Sequence, residues 1–371
     1  MEYGTRSLGL ENSTGSNNCF LNVVMQSFWH IPSFRSYFQV TSFHHEHEDS
    51  GLCLICEIKT LMNNFEYSDT SIISVHKVRD ALECQSSSFS KNSQACAVEA
   101  FEEILKNFHN LSPSCKTMCY AHSVFGYEFC EEISCKCARA YGDKLSDYLI
   151  RAYVTELYQM SQNTKIQSLD ELLGRSLASQ SHVWPCTNCG KVKYTMKKLM
   201  KKPPVFSISF SWAEMSPRLI NWFAGVISPV ILLRNLFSLD PEQPDYPTRY
   251  IIKGLVCFTS SHYVAFFYSI RRNVWIEFDD ERVMEIEHWN EVLGKIMKGR
   301  MAPVLMFYEM DAVLDELKIK YQLELLDNDM ANYLLDPDIY FESYTDVLSL
   351  DLAGMEWKIE FGDDRRPKNK K

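Results

Sequence analysis

GLENSTGSNNCFLNVVMQSFW, residues 9–29, decides how this chain is read. A polar stretch with Gly15 runs into an apolar segment of helical character, and Cys19 stands at the junction. A thiol in that position faces unpaired backbone N–H groups and the positive end of a helix dipole, both of which favour thiolate. Most cysteines of an intracellular chain are inert small core residues, so the thiol needs a partner before it means anything.

The partner lies far downstream in YIIKGLVCFTSSHYVAFFYSIRRNVWIEFDDERVMEI, residues 250–286. Three runs rich in aromatic and β-branched residues, Tyr250–Phe258, Tyr263–Ile270 and Val274–Phe278, are separated by the polar breaks Thr259–Ser261 and Arg271–Asn273. Such runs between polar turns are strand signals. If the last two form a hairpin, the midpoint between His262 and Asp279 falls at the start of its turn, so these two side chains oppose each other or nearly so. Opposed Cβ atoms lie roughly 5 Å apart, within reach of a His–Asp hydrogen bond. A carboxylate there fixes the imidazole tautomer, and the imidazole can take a proton from a thiol and return it to a leaving amine. A strand-start histidine alone is usually a half-exposed polar residue, and an Asp-Asp pair is usually a turn. The three residues together carry the inference.

With these residues the chain resembles the ubiquitin-specific proteases, papain-like cysteine hydrolases. The family's cysteine box, G-L-x-N, a short loop, then C-[YF]-[LM]-N-x-x-x-Q, is matched by Gly9-Leu10-Glu11-Asn12, a loop, Cys19-Phe20-Leu21-Asn22 and Gln26. Its histidine box is matched by His262–Phe266 and by Trp275–Asp280, and its middle box by QACAVEAFEEILKNFH, residues 94–109. The resemblance spans residues 8–310. It implies an α+β, papain-like fold with a helical thumb, an antiparallel β palm and zinc-ribbon-like fingers. It implies Cys19 as nucleophile, His262 as general base, Asp279 as orienting acid and Asp280 as a supporting residue. The asparagine ahead of the family's cysteine stabilises the oxyanion, and Asn12 matches it by motif. The implied substrates are ubiquitin, polyubiquitin chains and ubiquitinated proteins, cleaved at the isopeptide or peptide bond that follows the ubiquitin C-terminus.

Two departures stand out. Cys19 follows Gly9 by ten positions where eight is commonest in the family, so the loop must bulge and Asn17 or Asn18 competes with Asn12 for the oxyanion. Ser261 precedes His262 where glycine is usual. The longer loop looks like that of a divergent branch suspected of catalytic silence. The alternative function is therefore a silent ubiquitin-binding interaction module; the complete set of triad residue types favours an active hydrolase.

Cys135 and Cys137, followed far downstream by Cys186 and Cys189, are two close pairs of the kind that build one tetrahedral Cys₄ zinc site. The second pair, C-x-x-C-G, makes a good knuckle; the first, C-x-C, is one residue short. One structural zinc is expected, with degenerate thiols as the competing reading. His44, His45 and His47 ahead of Cys53 and Cys56 form a weaker cluster, because Leu52, Ile55, Ile58, Leu61 and Met62 continue a helical stripe that makes the cysteines core residues. Cys119 and His122, in CYAHSVF, read as framework.

Thirteen cysteines is an odd count without a small disulfide framework, and MEYGTRSLGL is no apolar leader, so the expectation is a reducing compartment, cytoplasmic or nuclear. The net charge of −10 lacks the basic footprint of a nucleic-acid binder and suits a partner with a basic tail. The uncharged run between Arg218 and Arg234, interrupted by Asn221 and Pro229, is too short for a membrane span.

Along the chain, residues 1–310 read as the catalytic domain with a fingers insertion at about 115–210. Helices are expected at 19–31, 53–63 and 98–107, and a half-buried strand at Val205–Trp212. Residues 311–371 read as a C-terminal extension of unknown role, opening with a helix over 311–326.

Overall fold

The first element explained by its composition is helix α1, Cys19–His30, in which every residue from Cys19 to Trp29 is buried. A helix apolar on nearly all sides has to be enclosed. In the computed structural model it lies against a sheet on one side and other helices on the other. The structure describes residues 7–311 except 41–51, 92, 111–118, 136, 138, 165, 167, 180–184, 191–193 and 240–248. The chain divides into two units, Met1–Asp311 and Ala312–Lys371, and all described residues belong to the first. The helix expected over 311–326 and the histidines 44, 45 and 47 lie outside the described residues, apart from Asp311.

With α1 come helices α2 (Pro32–Val40), α3 (Leu54–Tyr67), α4 (His76–Gln85), α5 (Ala97–Asn110) and α6 (Tyr120–Val124). Pro32 ends α1 and opens α2, since proline cannot continue one helix but is suited to the first turn of the next. The short strands β1 (Gly9–Leu10) and β2 (Ile72–Ile73) pair in parallel beside them. Next in the chain come β3 (Tyr127–Ser134), β4 (Arg139–Asp147), β5 (Ile150–Tyr153), helices α7 (Val154–Thr164) and α8 (Leu169–Ser179), β6 (Tyr194–Lys201) and β7 (Val205–Ser211). Then follow α9 (Pro217–Val226), β8 (Val230–Leu232), α10 (Leu233–Leu236), β9 (Arg249–Thr259), β10 (His262–Ser269), β11 (Val274–Asp279), β12 (Arg282–Ile286), α11 (Trp289–Gly299) and β13 (Ala302–Met310).

Eight of these strands form the main sheet, ordered β12-β11-β10-β9-β13-β7-β5, with β8 also on β9. All its pairings are antiparallel except β5 on β7. Successive side chains of a strand point to opposite faces, and here both faces are covered. Val256, Ala265, Phe267, Ile276, Phe278, Leu305 and Phe307 join the core of the first six helices. Leu255, Cys257, Val264, Phe266, Trp275, Met306 and Tyr308 join a second core with α7 to α11. Two-sided burial is why these strands read as continuous apolar runs and not as alternating ones.

β3, β4 and β6 make a separate three-stranded sheet, order β4-β3-β6. Within the insertion expected at 115–210, these strands form the separate sheet, whereas β5 and β7 enter the main sheet and α7 and α8 pack on it. The uncharged run 219–233 folds as most of α9, a short connection, β8 and the first residue of α10, and no described helix is long and apolar enough to cross a membrane. Cys53 and Cys56 are half-buried at the start of α3, less enclosed than the core positions the sequence suggested.

β9 and β10 are joined by a two-residue turn: Thr259 pairs with His262, and Ser260 and Ser261 have φ of 45° and 81°. Positive φ at both central residues suits the twist of a hairpin but is unfavourable for residues with a Cβ. Replacing Ser261 with glycine should raise the unfolding free energy by about 1 kcal/mol, read as a higher denaturant midpoint with an unchanged slope.

Candidate active site

The cysteine box is held by its own polar residues. Asn22 and Gln26, four apart on α1, share a face of the helix. Asn22 donates from Nδ2 toward the carbonyls of Leu10 and Glu11, at 3.3 and 3.4 Å, and Gln26 donates from Nε2 to that of Leu8 at 2.7 Å. The motif C-F-L-N-x-x-x-Q therefore ties the helix back onto the strand that precedes it. The loop between is closed by Asn12, whose Oδ1 accepts the backbone N–H of Asn18 at 2.9 Å. Asn17 turns the chain with φ of 52°, and Cys19 opens α1 with 6 % of its surface exposed.

Arg79 of α4, which the sequence reading passed over, supports this loop from behind. Its side chain is buried, stacks over the Phe20 ring at 4.5 Å and donates to the carbonyls of Asn17, Phe89, Ser90 and Ser93. Burial lowers its pKa, while the charges of Glu83 and Cys19 act the other way. A guanidinium remains charged in proteins, so a fixed cation stands near the thiol. Its sequence signal is an arginine inside the apolar stripe Val78, Ala81, Leu82.

The histidine box meets this loop from the main sheet. The turn at Ser260-Ser261 makes His262 the first residue of β10, and Asp279 is the last of β11. The strands pair with Ala265 opposite Phe278 and Ser269 opposite Val274. Continued, that register sets Asp279 against Val264, one same-face step from His262. The pair is diagonal and not directly opposed, because the four-residue connection, 270–273, is centred one position beyond the midpoint of His262 and Asp279. The side chains still meet: His262 Nε2 lies 2.7 Å from Asp279 Oδ1. Asp279 and a second hydrogen bond, with Cys19, push the His262 pKa up to about 10 against the opposing effect of burial. With Nε2 taken by Asp279, Nδ1 is the ring nitrogen left for Cys19. Asp279 is held below the usual carboxylate range by the same contact.

Asp280 joins the two boxes. Its φ is 52°, and its carbonyl accepts the N–H of Leu10 at 2.9 Å. Its Oδ2 accepts Asn12 Nδ2 at 2.5 Å, and its Oδ1 accepts Asn22 Nδ2 at 2.7 Å. Burial raises its pKa, and the bonds from Asn12 and Asn22 pull the other way. It lies 3.9 Å from His262 Nε2. The Asn12 amide is thus engaged on both its atoms, with one N–H of Nδ2 left over. Asn18 is buried, and its Nδ2 has no partner among the described residues.

Gly9 lets the boxes approach this closely. A Cβ there would stand 2.5 Å from the Glu281 carbonyl oxygen and 2.8 Å from the carbon atoms beside it, all backbone. Gly9→Ala must push the 280–281 turn away, and should cost about 1–3 kcal/mol of stability. The rate of Cys19 alkylation by a small electrophile should fall at least tenfold, read by peptide mass spectrometry.

The His262–Asp279 pair has a defined pH signature. A raised histidine pKa stabilises the fold fully below the ordinary histidine value, and the contribution is lost as pH rises through about 10. Asp279→Asn should therefore lower the melting temperature at pH 6 and much less at pH 10.5. The alkaline limb of kcat/KM, set by loss of the imidazolium, should move from near pH 10 toward pH 7.

Cys135, Cys137, Cys186 and Cys189 come together at the tip of the three-stranded sheet, with all four sulfurs within 4.8 Å of one another. The Cys186 carbonyl accepts the Gly190 N–H at 2.9 Å, closing a tight knuckle, and Cys137 N donates to Cys135 Sγ at 3.4 Å. Backbone N–H groups of Cys189 and Asn188 lower the Cys186 thiol to about 6. Four thiols with N–H groups turned to sulfur fit a structural zinc, and the short C-x-C spacing does not prevent their convergence.

A helical lobe on one face of a sheet, with a Cys–His–Asp line where they meet, is the frame of the papain-like cysteine hydrolases. The chain belongs to the ubiquitin carboxyl-terminal hydrolase family, whose model matches residues 8–308. It is 26% identical over 320 residues to human ubiquitin carboxyl-terminal hydrolase 53, covering 81% of this chain and 30% of that one. It is 25% identical over 323 residues to mouse ubiquitin carboxyl-terminal hydrolase 54, covering 81% and 20%. The chain thus spans less than a third of the length of either relative. Among solved structures it resembles the SAGA Ubp8/Sgf11/Sus1/Sgf73 DUB module bound to ubiquitin aldehyde, with a TM-score of 0.64, 17% identity and coverage of 84% of this chain and 70% of that one.

Proposed function

We propose that this chain hydrolyses the isopeptide or peptide bond that follows the C-terminus of ubiquitin, on ubiquitin chains and ubiquitinated proteins. The observation that carries the reading is the line Asp279–His262–Cys19, assembled from two boxes more than 240 positions apart and held by Asp280. The names of the relatives and the ubiquitin aldehyde bound in the neighbouring structure support the substrate class. An excess of acidic groups suits the basic tail of ubiquitin as an encounter partner.

In the first step Cys19 Sγ attacks the carbonyl carbon of the terminal glycine of ubiquitin, and the bond to nitrogen breaks. Nδ1 of His262, protonated in the thiolate–imidazolium pair, gives its proton to the leaving amine. The remaining N–H of Asn12 and the backbone N–H groups of Cys19 and Phe20 at the start of α1 are the donors for the oxyanion; a single such donor is worth about 3 kcal/mol. Water, deprotonated by the now neutral His262, then cleaves the thioester. Asp279 holds Nε2 throughout and stabilises each imidazolium. Asp280 positions Asn12 and α1 without touching the scissile bond.

The assembled triad favours this reading over a silent ubiquitin-binding module. Within it, residues 1–310 serve as the catalytic domain, and the extension 311–371 keeps an unassigned role. A zinc on Cys135, Cys137, Cys186 and Cys189 would supply a structural cross-link for the fingers. A reducing compartment, cytoplasmic or nuclear, is the proposed location, from the odd cysteine count of the sequence.

Ubiquitin bearing a C-terminal electrophile should attach to Cys19 under reducing conditions, seen as a mass increase of one ubiquitin, and Cys19→Ala should abolish it. Ubiquitin binding without attachment would establish the silent module instead. Absence of both would remove the ubiquitin reading altogether.

A further inference from the structure

A cavity of about 330 Å³ opens on the helical lobe, beside the triad. Its floor is one face of α5, where Glu99, Glu102, Glu103 and Lys106 follow the i, i+3, i+4, i+7 spacing that sets side chains in a stripe. Ser86, Ser88 and Phe89 make one wall, and Tyr148 and Arg151, from the passage of β4 into β5, make the other. Two contacts tie the cavity to the triad. Gln94, just ahead of α5, donates from Nε2 to the carbonyl of Ser261 at 3.4 Å, next to His262. Arg79, which holds the Asn17 carbonyl, also holds that of Phe89. Glu99 lies in the first turn of α5, so the acidic stripe begins at the end of the helix nearest the base.

The charges of the cavity do not balance from within. Lys106 Nζ lies 3.6 Å from Glu103 Oε2. Arg151 donates from Nε and Nη2 to Glu102 Oε1 at 3.2 and 2.8 Å. Its Nη1 donates to Asp147 Oδ2 at 3.0 Å and to the Leu149 carbonyl at 3.2 Å. Glu99 has no ion-pair partner among the described residues. The cavity thus already binds one guanidinium, the chain's own, and keeps a carboxylate for a second. Arg151 is held loosely. Both its contacts with Glu102 fall on one oxygen, so the two-oxygen fork that makes arginine–carboxylate pairs strong is not formed. The two side chains are 52% and 34% exposed, and exposed ion pairs give way at little cost.

Given ubiquitin as the substrate, on which this step rests, we propose that Arg151 is an internal competitor: its guanidinium holds Glu102 until an arginine of the ubiquitin tail displaces it. A tail whose terminal glycine reaches Cys19 passes the start of α5, so the side chains before it come level with the stripe. An arginine there finds Glu99 free and Glu102 shared. Taking Glu102 costs only the Arg151 contact, and Arg151 keeps Asp147 and the Leu149 carbonyl on its own side. One guanidinium replaces another, so Glu102 is never left bare. A lysine gains less, because it lacks the planar fork that Glu99 and Glu102 can share. Part of the arginine's binding energy goes into the release of Arg151, so the tail is held less tightly than the cavity alone would hold it. Product release limits many enzymes, and a tethered guanidinium that refills Glu102 speeds the departure of the cleaved tail.

The test is a double-mutant cycle of ubiquitin binding, measured by calorimetry at low salt on the full chain carrying Cys19→Ala to prevent turnover. Arg151→Met should tighten binding about two- to fivefold, the range of exposed ion pairs. In the Glu102→Gln chain, where Arg151 has lost its hold on α5, the same change should leave binding as it is. Ubiquitin whose tail arginines are replaced by glutamine should bind no more tightly to the Arg151→Met chain than to its parent. Binding that weakens or stays the same on Arg151→Met overturns the proposal, since that is what a merely structural tie between α5 and β5 gives. Equal tightening in the Glu102→Gln chain overturns it too, because overall charge alone would then be at work. If none of the chains binds ubiquitin, the ubiquitin reading falls by itself, and a short peptide amide with two arginines goes through the same cycle. Its affinity then rises on Arg151→Met only in the presence of Glu102, or the competitor falls as well.

Discussion

The Asp280 carboxylate, shared between the amides of Asn12 and Asn22, is the interaction on which the site depends. Asn12 belongs to the loop ahead of the thiol, Asn22 to the helix that carries it, and Asp280 to the turn that follows the orienting acid. One side chain thus references nucleophile, loop and base to each other. Taking a carboxylate partly out of water is costly, and burial does raise the Asp280 pKa. Two amide donors to a charged acceptor contribute about 1.5–3 kcal/mol each, enough to offset that cost and to give the contact a defined geometry. A neutral acceptor would make weaker bonds, and an apolar residue would take the acceptor from Asn12 Nδ2 and leave Asn22 only its longer bonds to Leu10 and Glu11.

The remaining structure makes this contact possible. The main sheet is buried on both faces, so β10 and β11 are fixed in height and register, and with them His262 and Asp279. α1 is enclosed between this sheet and the helical lobe, so its first turn has one position available. Gly9 lets β1 approach the 280–281 turn to backbone contact. Arg79 fills the space behind the loop with a cation that satisfies four carbonyls. A loop two residues longer than the family's usual one is accommodated because Asn12 bridges it to Asn18 and Arg79 holds Asn17.

Much of this was legible in the sequence, for local reasons. Cys19 at a loop–helix junction, the three apolar runs before and after His262, and the two cysteine pairs are signals within a few residues of themselves. Helix starts and strand limits came out within a few positions, because Pro32, the polar breaks and the apolar periodicities are unambiguous. What escaped depends on contacts between distant segments. Arg79 stands in an apolar stripe of α4, but its role depends on Asn17 and Phe89, which only the fold brings to it. The offset of Asp279 from His262 depends on where the hairpin is centred, which no strand pattern reports to one residue. Asn12 matched by motif, but its double use by Asn18 and Asp280 belongs to the closed loop.

The central claim is that Asn22 and Asp280 act together to set Cys19 against His262. A double-mutant cycle tests it: Asn22→Ala, Asp280→Ala and both, each scored by the rate at which a small haloacetamide alkylates Cys19 at fixed pH, resolved by peptide mass spectrometry. The account predicts that both single changes slow the reaction and that the double variant is no slower than Asp280→Ala alone, a coupling of about 1 kcal/mol or more. Effects that add within about 0.5 kcal/mol would show the two residues acting independently and would contradict it.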